Sequence, residues 1–314
     1  MLYAILASGD CYMNKKIGSA IALLIATVLW GSAFTSQNIA MDHMHPFGFQ
    51  AARCLIAVLG MLPVIGIFDR FKKDGGTFLR RWTDPTLWKA GLLCGLPLFL
   101  ACNLQQMALV DTDAGKAGFL TAMYIVIVPL IGIFRKQKVG INIPMSVALA
   151  TTGLYFLSCH NGFHMRTGDL LLIGCAVMFA VQITFVDIFA RQVDTLRLNT
   201  IQALVCAVLS AVVMGASEPV PMWDDLVKCA FPLLHVGLFS MGVAYALQII
   251  GQKSLDPAAA SLIMSMESVF AAIFGMLILN ESLNTRESFG CLLVFTGVIL
   301  SQIPIKSRKK VHPL

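Results

Sequence analysis

Long apolar runs, each closed by a few polar residues, repeat along the whole chain. Ten have spanning or near-spanning length: 17–37, 47–68, 89–109, 114–134, 141–158, 169–189, 198–216, 229–250, 257–279 and 288–305. A hydrocarbon core of about 30 Å takes about 20 residues of helix at about 1.5 Å each. The runs are rich in Leu, Ala, Ile and Gly, so they predict transmembrane helices; the last is short. Connections are brief and leave no room for a soluble domain.

One run carries a carboxylate near its middle. Glu267 lies ten residues past Pro257, a residue suited to a first helical turn. That places it roughly 15 Å deep. An ionised carboxylate there costs several kcal/mol unless it has a partner or faces water. Two readings follow: a group lining a transport path, or a neutral, hydrogen-bonded Glu that joins two helices.

A second stretch repeats this layout. Segment 104–132 lies over 247–275 with constant offset and no gap. Leu-Gln opens both, Gly132 falls on Gly275, Ala117 on Ala260 and Tyr124 on Glu267. Trp30-Gly-Ser-Ala-Phe-Thr in the first run has its counterpart in Phe179-Ala-Val-Gln-Ile-Thr in the sixth, and Arg53 falls near Gln202. Five spans per half is an odd number, so the halves must run in opposite orientations. That is the inverted-repeat layout of secondary transporters, with the site near the midplane.

Composition narrows the class. The 314 residues are 57% hydrophobic and 13% charged, whereas a soluble domain is about a quarter charged. The net charge of +6 sits in short loops, so it reports orientation rather than nucleic-acid binding. Basic groups cluster at Lys15/Lys16, at Arg70, Lys72, Lys73, Arg80 and Arg81, at Arg135, Lys136 and Lys138, at Arg191 and Arg197, and at 306–310. The alternate loops, 41–45, 110–113, 160–168, 217–225 and 280–287, carry few. The positive-inside rule then predicts a multi-pass protein of the inner (plasma) membrane with both termini cytoplasmic, and the even span count agrees. Residues 2–7 are too short to span and lack preceding basic residues, so no cleavable signal peptide is expected. Met13-Asn14-Lys15-Lys16 reads as a natural start, with 1–12 an extension.

Nine cysteines are scattered without a CxxC pair, against a zinc site or a disulfide framework. His43 with His45, and His160 with His164, fall in loops at spacings that match no zinc pattern, so no metal is expected. The chain lacks GxxxxGK[ST], HExxH and GxSxG, so neither nucleotide-driven pumping nor common hydrolytic chemistry is supported. The expectation is a non-enzyme without cofactor. Its partners are a small-molecule substrate and the lipid bilayer, and a homodimer is compatible with the sequence.

These pieces resemble the EamA family of the drug/metabolite transporter superfamily. The resemblance rests on Trp30-Gly31-Ser32, Arg53, Gln106, Ala114 to Leu120 leading into Pro129, and Gln252 before Pro257-Ala258. It also rests on Ser265 to Ala271, Asn280-Glu281, Gly290 and Gly297. It implies ten helices in two inverted five-helix repeats, at 15–158 and 167–305, and export or exchange of small metabolites such as amino acids. The family often has Pro after the Glu of the ninth span; Ser268 stands here, which predicts a straighter helix.

The substrate-binding candidates are Glu267, Tyr124, Gln106, Asn103, Tyr245, Gln248, Trp30 and Arg53, with Glu267 also the candidate for proton coupling. Asn103 and Gln106 share a face at i, i+3, as do Tyr245 and Gln248. Such amides and phenols suit a zwitterion or equally hydrogen bonds between helices. Arg53, seven residues past Pro46, cannot lose its charge; it either holds a substrate carboxylate bidentately or satisfies structural acceptors. Trp30 can stack on a ligand or pack. Lys116 can snorkel to the membrane surface. Ser261, Ser265 and Ser268 suit close helix packing. Thr184 with Asp187 makes another polar spot. An aromatic-walled cavity around an ionised Glu267 would instead take lipophilic cations, and an integral-membrane enzyme or scaffold stands outside the carrier class.

Overall fold

The computed structural model of the protein describes residues 2–71, 77–110, 112, 114–137, 140–158, 167–279 and 284–303. Lys72, Lys73, Lys138, His160, His164, Asn280, Glu281 and the basic residues of 306–310 lie outside them.

Among the described residues the regular elements are all helical, and ten helical spans order the chain. The first half holds α1 (Leu2–Met41), α2 (Pro46–Arg70), α3 (Pro85–Ala108), α4 in two pieces (Ala114–Thr121 and Tyr124–Phe134) and α5 (Asn142–Ser158). The second half holds α6 (Thr167–Phe189), α7 (Thr195–Ser217), α8 (Ala230–Gln252), α9 in two pieces (Pro257–Met264 and Met266–Leu279) and α10 (Thr285–Gln302). A single helical turn and a half, Trp223–Lys228, leads into α8. Eight of these have both the length and the hydropathy to cross a membrane. The other two, α5 and α10, are the shorter 17- and 18-residue helices, and they pack on one another to complete the two sets of five.

Local chemistry explains the ends. Pro46, Pro85 and Pro257 each open a helix, where a missing N–H leaves no bond unmade. The Asp84 carboxylate accepts from Thr86 N–H at 2.8 Å, and that of Asp194 from Arg197 N–H at 3.1 Å. The cap at Asp194 starts α7 three residues earlier than its apolar run begins. Arg197 therefore sits in the first helical turn, buried, rather than in a basic loop.

Packing between the halves comes in matched pairs. Exchanging α1–α5 for α6–α10 maps the α3–α6 contact onto α8–α1, α3–α7 onto α8–α2, and α4–α6 onto α9–α1. The pairs α2–α7, α4–α9 and α5–α10 map onto themselves. An inverted two-fold repeat requires this pattern. Glycine permits the tightest crossing: a Cβ on Gly153 would stand 2.6 Å from the Gly290 carbonyl oxygen, and one on Gly290 the same distance from that of Gly153. Backbones meet this closely in membranes because packing, not hydrophobic exclusion, holds helices together.

Loops between α2 and α3, α4 and α5, α6 and α7, and α8 and α9 share one end of the bundle; the first three carry Arg80, Arg81, Arg135 and Arg191, and the fourth carries Lys253. The Arg191 side chain donates to the Lys253 carbonyl across that end at 2.7 Å. We call it the basic-loop face, and the other the opposite face.

The straight ninth helix is corrected. A turn at Ser265 divides α9, and a turn at Ala122–Met123 divides α4 at the symmetry-related place. There the ladder tightens to i→i+3 bonds, Ser268 N–H to the Ser265 carbonyl (3.2 Å) and Ile125 N–H to that of Ala122 (3.0 Å). Ser265 Oγ donates back to the Leu262 carbonyl at 2.7 Å, a local bond that competes with the helix ladder. A proline after the glutamate is not needed for the break.

Candidate functional site

The two breaks hold the chemistry. Tyr124 begins the second piece of α4, and Glu267 is the second residue of the second piece of α9. The Tyr124 hydroxyl donates to Glu267 Oε1 at 3.2 Å, so these two repeat mates meet each other. Both are buried, Glu267 at 7% exposure. Ser268 Oγ donates to the Gly118 carbonyl at 3.2 Å and ties α9 to α4 just beside them. Interrupted helices free backbone groups and admit polar side chains at mid-membrane depth, where regular helices would not.

A cavity opens beside this pair. Ten of its lining residues fall into five mates across the repeat: Trp30 with Phe179, Phe34 with Ile183, Cys102 with Tyr245, Gln105 with Gln248, and Tyr124 with Glu267. The first two pairs differ by 149 residues and the others by 143. The walls thus derive from one scaffold used twice. Trp30 and Tyr245 touch edge to face at 5.0 Å, and Tyr124 meets Phe179 likewise at 6.4 Å.

Arg53 breaks the symmetry. It borders the cavity at 3% exposure, where its mate by the 149-residue offset is Gln202. Its Nε donates to Gln50 Oε1 at 2.6 Å and its Nη1 to Gln37 Oε1 at 2.5 Å. The mate copies the first of these bonds: Gln202 Nε2 donates to Asn199 Oδ1 at 2.9 Å. Among the described residues no carboxylate pairs with Arg53, so amide oxygens orient a guanidinium that keeps its charge.

Amides link the remaining wall. Gln248 Nε2 donates to Gln182 Oε1 at 3.1 Å and to Gln252 Oε1 at 3.0 Å, and Gln182 Nε2 donates to Gln202 Oε1 at 3.3 Å. The middle of α8, His235–Ala244, is π-helical. Asn199 serves it by donating to the carbonyls of Met241 (3.3 Å) and Gly242 (2.8 Å). Two polar atoms bordering the cavity, Trp30 Nε1 and Gln248 Oε1, are buried without a partner among the described residues. One offers a donor and the other an acceptor.

Six of the eight expected residues line this cavity: Glu267, Tyr124, Tyr245, Gln248, Trp30 and Arg53. Asn103 and Gln106 do not. Asn103 Nδ2 donates to the Phe99 carbonyl (2.7 Å) and to Ser210 Oγ (2.9 Å), and Gln106 lies behind Gln37, near its carbonyl at 3.5 Å. The α3 amide facing the cavity is Gln105, one residue over. The shared Leu-Gln at the head of both repeat segments marked it, since its mate Gln248 was already a candidate. Gln37 and Gln182 also line the cavity, and no spacing in the sequence singles them out. Lys116 does not snorkel; its ammonium pairs with the fully buried Asp169 at 2.6 Å. Asp187 pairs with Arg135 at 3.6 Å, while Thr184 bonds only its own helix, so that spot lies apart from the cavity. Ser261 likewise bonds back to its own helix rather than across.

Comparison with known proteins agrees with this architecture. The model of the EamA-like transporter family matches residues 17–159 and again 166–302. An "Uncharacterized transporter" of Archaeoglobus fulgidus is 30% identical over 298 residues, covering 93% of this chain and 88% of its own. The "Uncharacterized transporter YoaV" of Bacillus subtilis is 21% identical over 299 residues, covering 92% and 98%. A solved crystal structure superposes with TM-score 0.73 at 19% identity, covering 90% of this chain and 96% of that one, which speaks for the fold alone. Two family matches in tandem are what the mated helix contacts require, and the chain belongs to the EamA-like transporter family.

Proposed function

We propose that this protein is a secondary carrier that exports or exchanges an amino acid or close derivative by alternating access between its two halves. The observation that carries the reading is the cavity's charge layout. Among the described residues, a buried guanidinium held only by amides and a buried carboxyl group held by one phenol border the same space between the repeats. A substrate carboxylate supplies the anion that Arg53 lacks, in a charge-assisted fork. A substrate ammonium, or a proton, satisfies Glu267. Trp30 Nε1 and Gln248 Oε1 can donate to and accept from the backbone-like groups between. Tyr245, Phe34 and Phe179 shape the apolar side of the pocket.

In this reading the cycle runs through Glu267. With substrate or proton bound, its charge is compensated and the halves can close over it; without either, closure strands a bare carboxylate at low dielectric. The basic-loop face is cytoplasmic and the protein resides in the inner membrane, because arginine-rich short loops stay on that side. The aromatic walls also favour a second reading, efflux of lipophilic cations, but Arg53 in the same wall repels such a ligand.

Counterflow in proteoliposomes with a mixed amino-acid pool tests this. Wild type should exchange at least one amino acid, faster in either mildly acidic or mildly alkaline buffer. Glu267→Gln should lose that exchange or its pH dependence while eluting as a folded protein. Exchange of lipophilic cations alone would overturn the amino-acid assignment.

A further inference from the structure

Outside the cavity, two more carboxylates obey the repeat. Asp69 lies at the C-terminal end of α2, and 149 residues on lies Glu218, the C-cap of α7. The same offset relates Gly48, in the first turn of α2, to Arg197, in the first turn of α7. At the basic-loop face the Asp69 carboxylate accepts a fork from Arg197, one bond being 3.3 Å, and pairs with Arg81 at 2.6 Å. At the opposite face the Glu218 carboxylate accepts from Phe47 N–H at 3.2 Å and Gly48 N–H at 3.0 Å. Those N–H groups follow Pro46 at the head of α2, where no helical carbonyl is within reach of them.

We infer that Asp69 and Glu218 are the two gate carboxylates of the carrier, one at each membrane face, latching the same helix pair. The inference rests on the carrier reading for its meaning, and on geometry for its residues. α2 and α7 come from different halves and run antiparallel, so each helix end that separates when a mouth opens meets a latch. Rocking about the midplane parts one end and keeps the other closed. Opening the basic-loop mouth breaks Asp69 from its arginines and leaves Glu218 docked; opening the opposite mouth does the reverse.

The two latches use different donors. Asp69 meets two guanidiniums, and Arg197 is fixed between the rings of Phe78 and Trp82, 5.7 and 5.3 Å from their centroids. Among the described residues Glu218 meets only backbone N–H groups, those of Phe47 and Gly48, at the positive end of a helix. The charged latch is the tighter. The basic-loop mouth is therefore the more firmly closed of the two, and its release the larger event.

Hydrogen–deuterium exchange of the purified full-length protein, read by peptide, tests this. Asp69→Asn should speed exchange at 64–70 and 195–201 on the order of tenfold, as expected for one lost charge-assisted bond. The segments 46–50 and 213–218 should stay unchanged or slow. Glu218→Gln should give the mirror image with a smaller rise. Asp69→Glu should keep the wild-type pattern, and Arg81→Gln should repeat the Asp69→Asn pattern more weakly if the latter does not fold. Acceleration at both faces together, or at neither, overturns the assignment. Counterflow on the same preparations separates the two ideas. Exchange by wild type without reciprocal opening sinks the latch alone; reciprocal opening without any solute exchange sinks the carrier reading alone.

Discussion

The two halves line one cavity with the same backbone and different chemistry. Helices α1–α5 contribute Trp30, Arg53 and Tyr124; at the mated positions α6–α10 contribute Phe179 and Glu267, while Gln202, the mate of Arg53, stands behind Gln182 and outside the cavity. Geometry recurs in both halves: the breaks in α4 and α9, the i−3 amide bonds of Arg53 and Gln202, and the carboxylate contacts of Asp69 and Glu218 between α2 and α7. Charge is divided instead, with the cation in one half and the carboxyl in the other. Equivalent scaffolds let the halves exchange shapes at little energetic difference. On the amino-acid reading proposed above, unequal charges let a dipolar solute bind in one orientation. On that reading, the repeat serves the motion and its departures serve recognition.

Making the halves alike should break recognition in graded steps. Glu267→Gln removes the only carboxyl bordering the cavity among the described residues, and counterflow should fall to background or lose its pH dependence. Arg53→Gln copies the mate and removes the anchor proposed for a substrate carboxylate; half-saturation should rise roughly tenfold to a hundredfold, read from exchange against substrate concentration. Trp30→Phe copies Phe179 and deletes the free Nε1 donor, and should raise half-saturation several-fold, the worth of about 1 kcal/mol. Gln202→Ala alters the second half's amide chain behind Gln182, outside the cavity. It should lower the melting temperature by a few degrees, the equivalent of about 1–2 kcal/mol, and leave half-saturation within about twofold. If Gln202→Ala weakens exchange as much as Arg53→Gln, the charge asymmetry is not what recognises substrate.

A good part of this was legible in one dimension. The apolar runs marked nearly every helix, because any segment crossing lipid must satisfy its own backbone. The offset of 104–132 onto 247–275 by itself pairs Tyr124 with Glu267. What periodicity could not decide was rotation. In water a polar stripe shows which face is buried, but in a bilayer lipid and protein core are equally apolar. Hence Asn103 and Gln106 looked as eligible as Gln105, and only packing against α6 and α7 turned Gln105 toward the cavity. The break in α9 was missed for a related reason. Serine is a weak breaker by composition, and its effect depends on a hydroxyl choosing its own backbone over a neighbour.

Sequence alone therefore determined an all-helical membrane protein of about ten spans, its division into two inverted halves, and the carboxyl and phenol at its centre. Hydropathy and repeat register are local properties, written residue by residue. The tertiary structure decided which mates face each other, that Arg53 rests on Gln37 and Gln50 rather than on an acid, and that Asp69 and Glu218 fasten opposite ends of one helix pair. Those facts depend on helix rotation and on contacts across more than a hundred residues of chain, where short-range pattern carries no information.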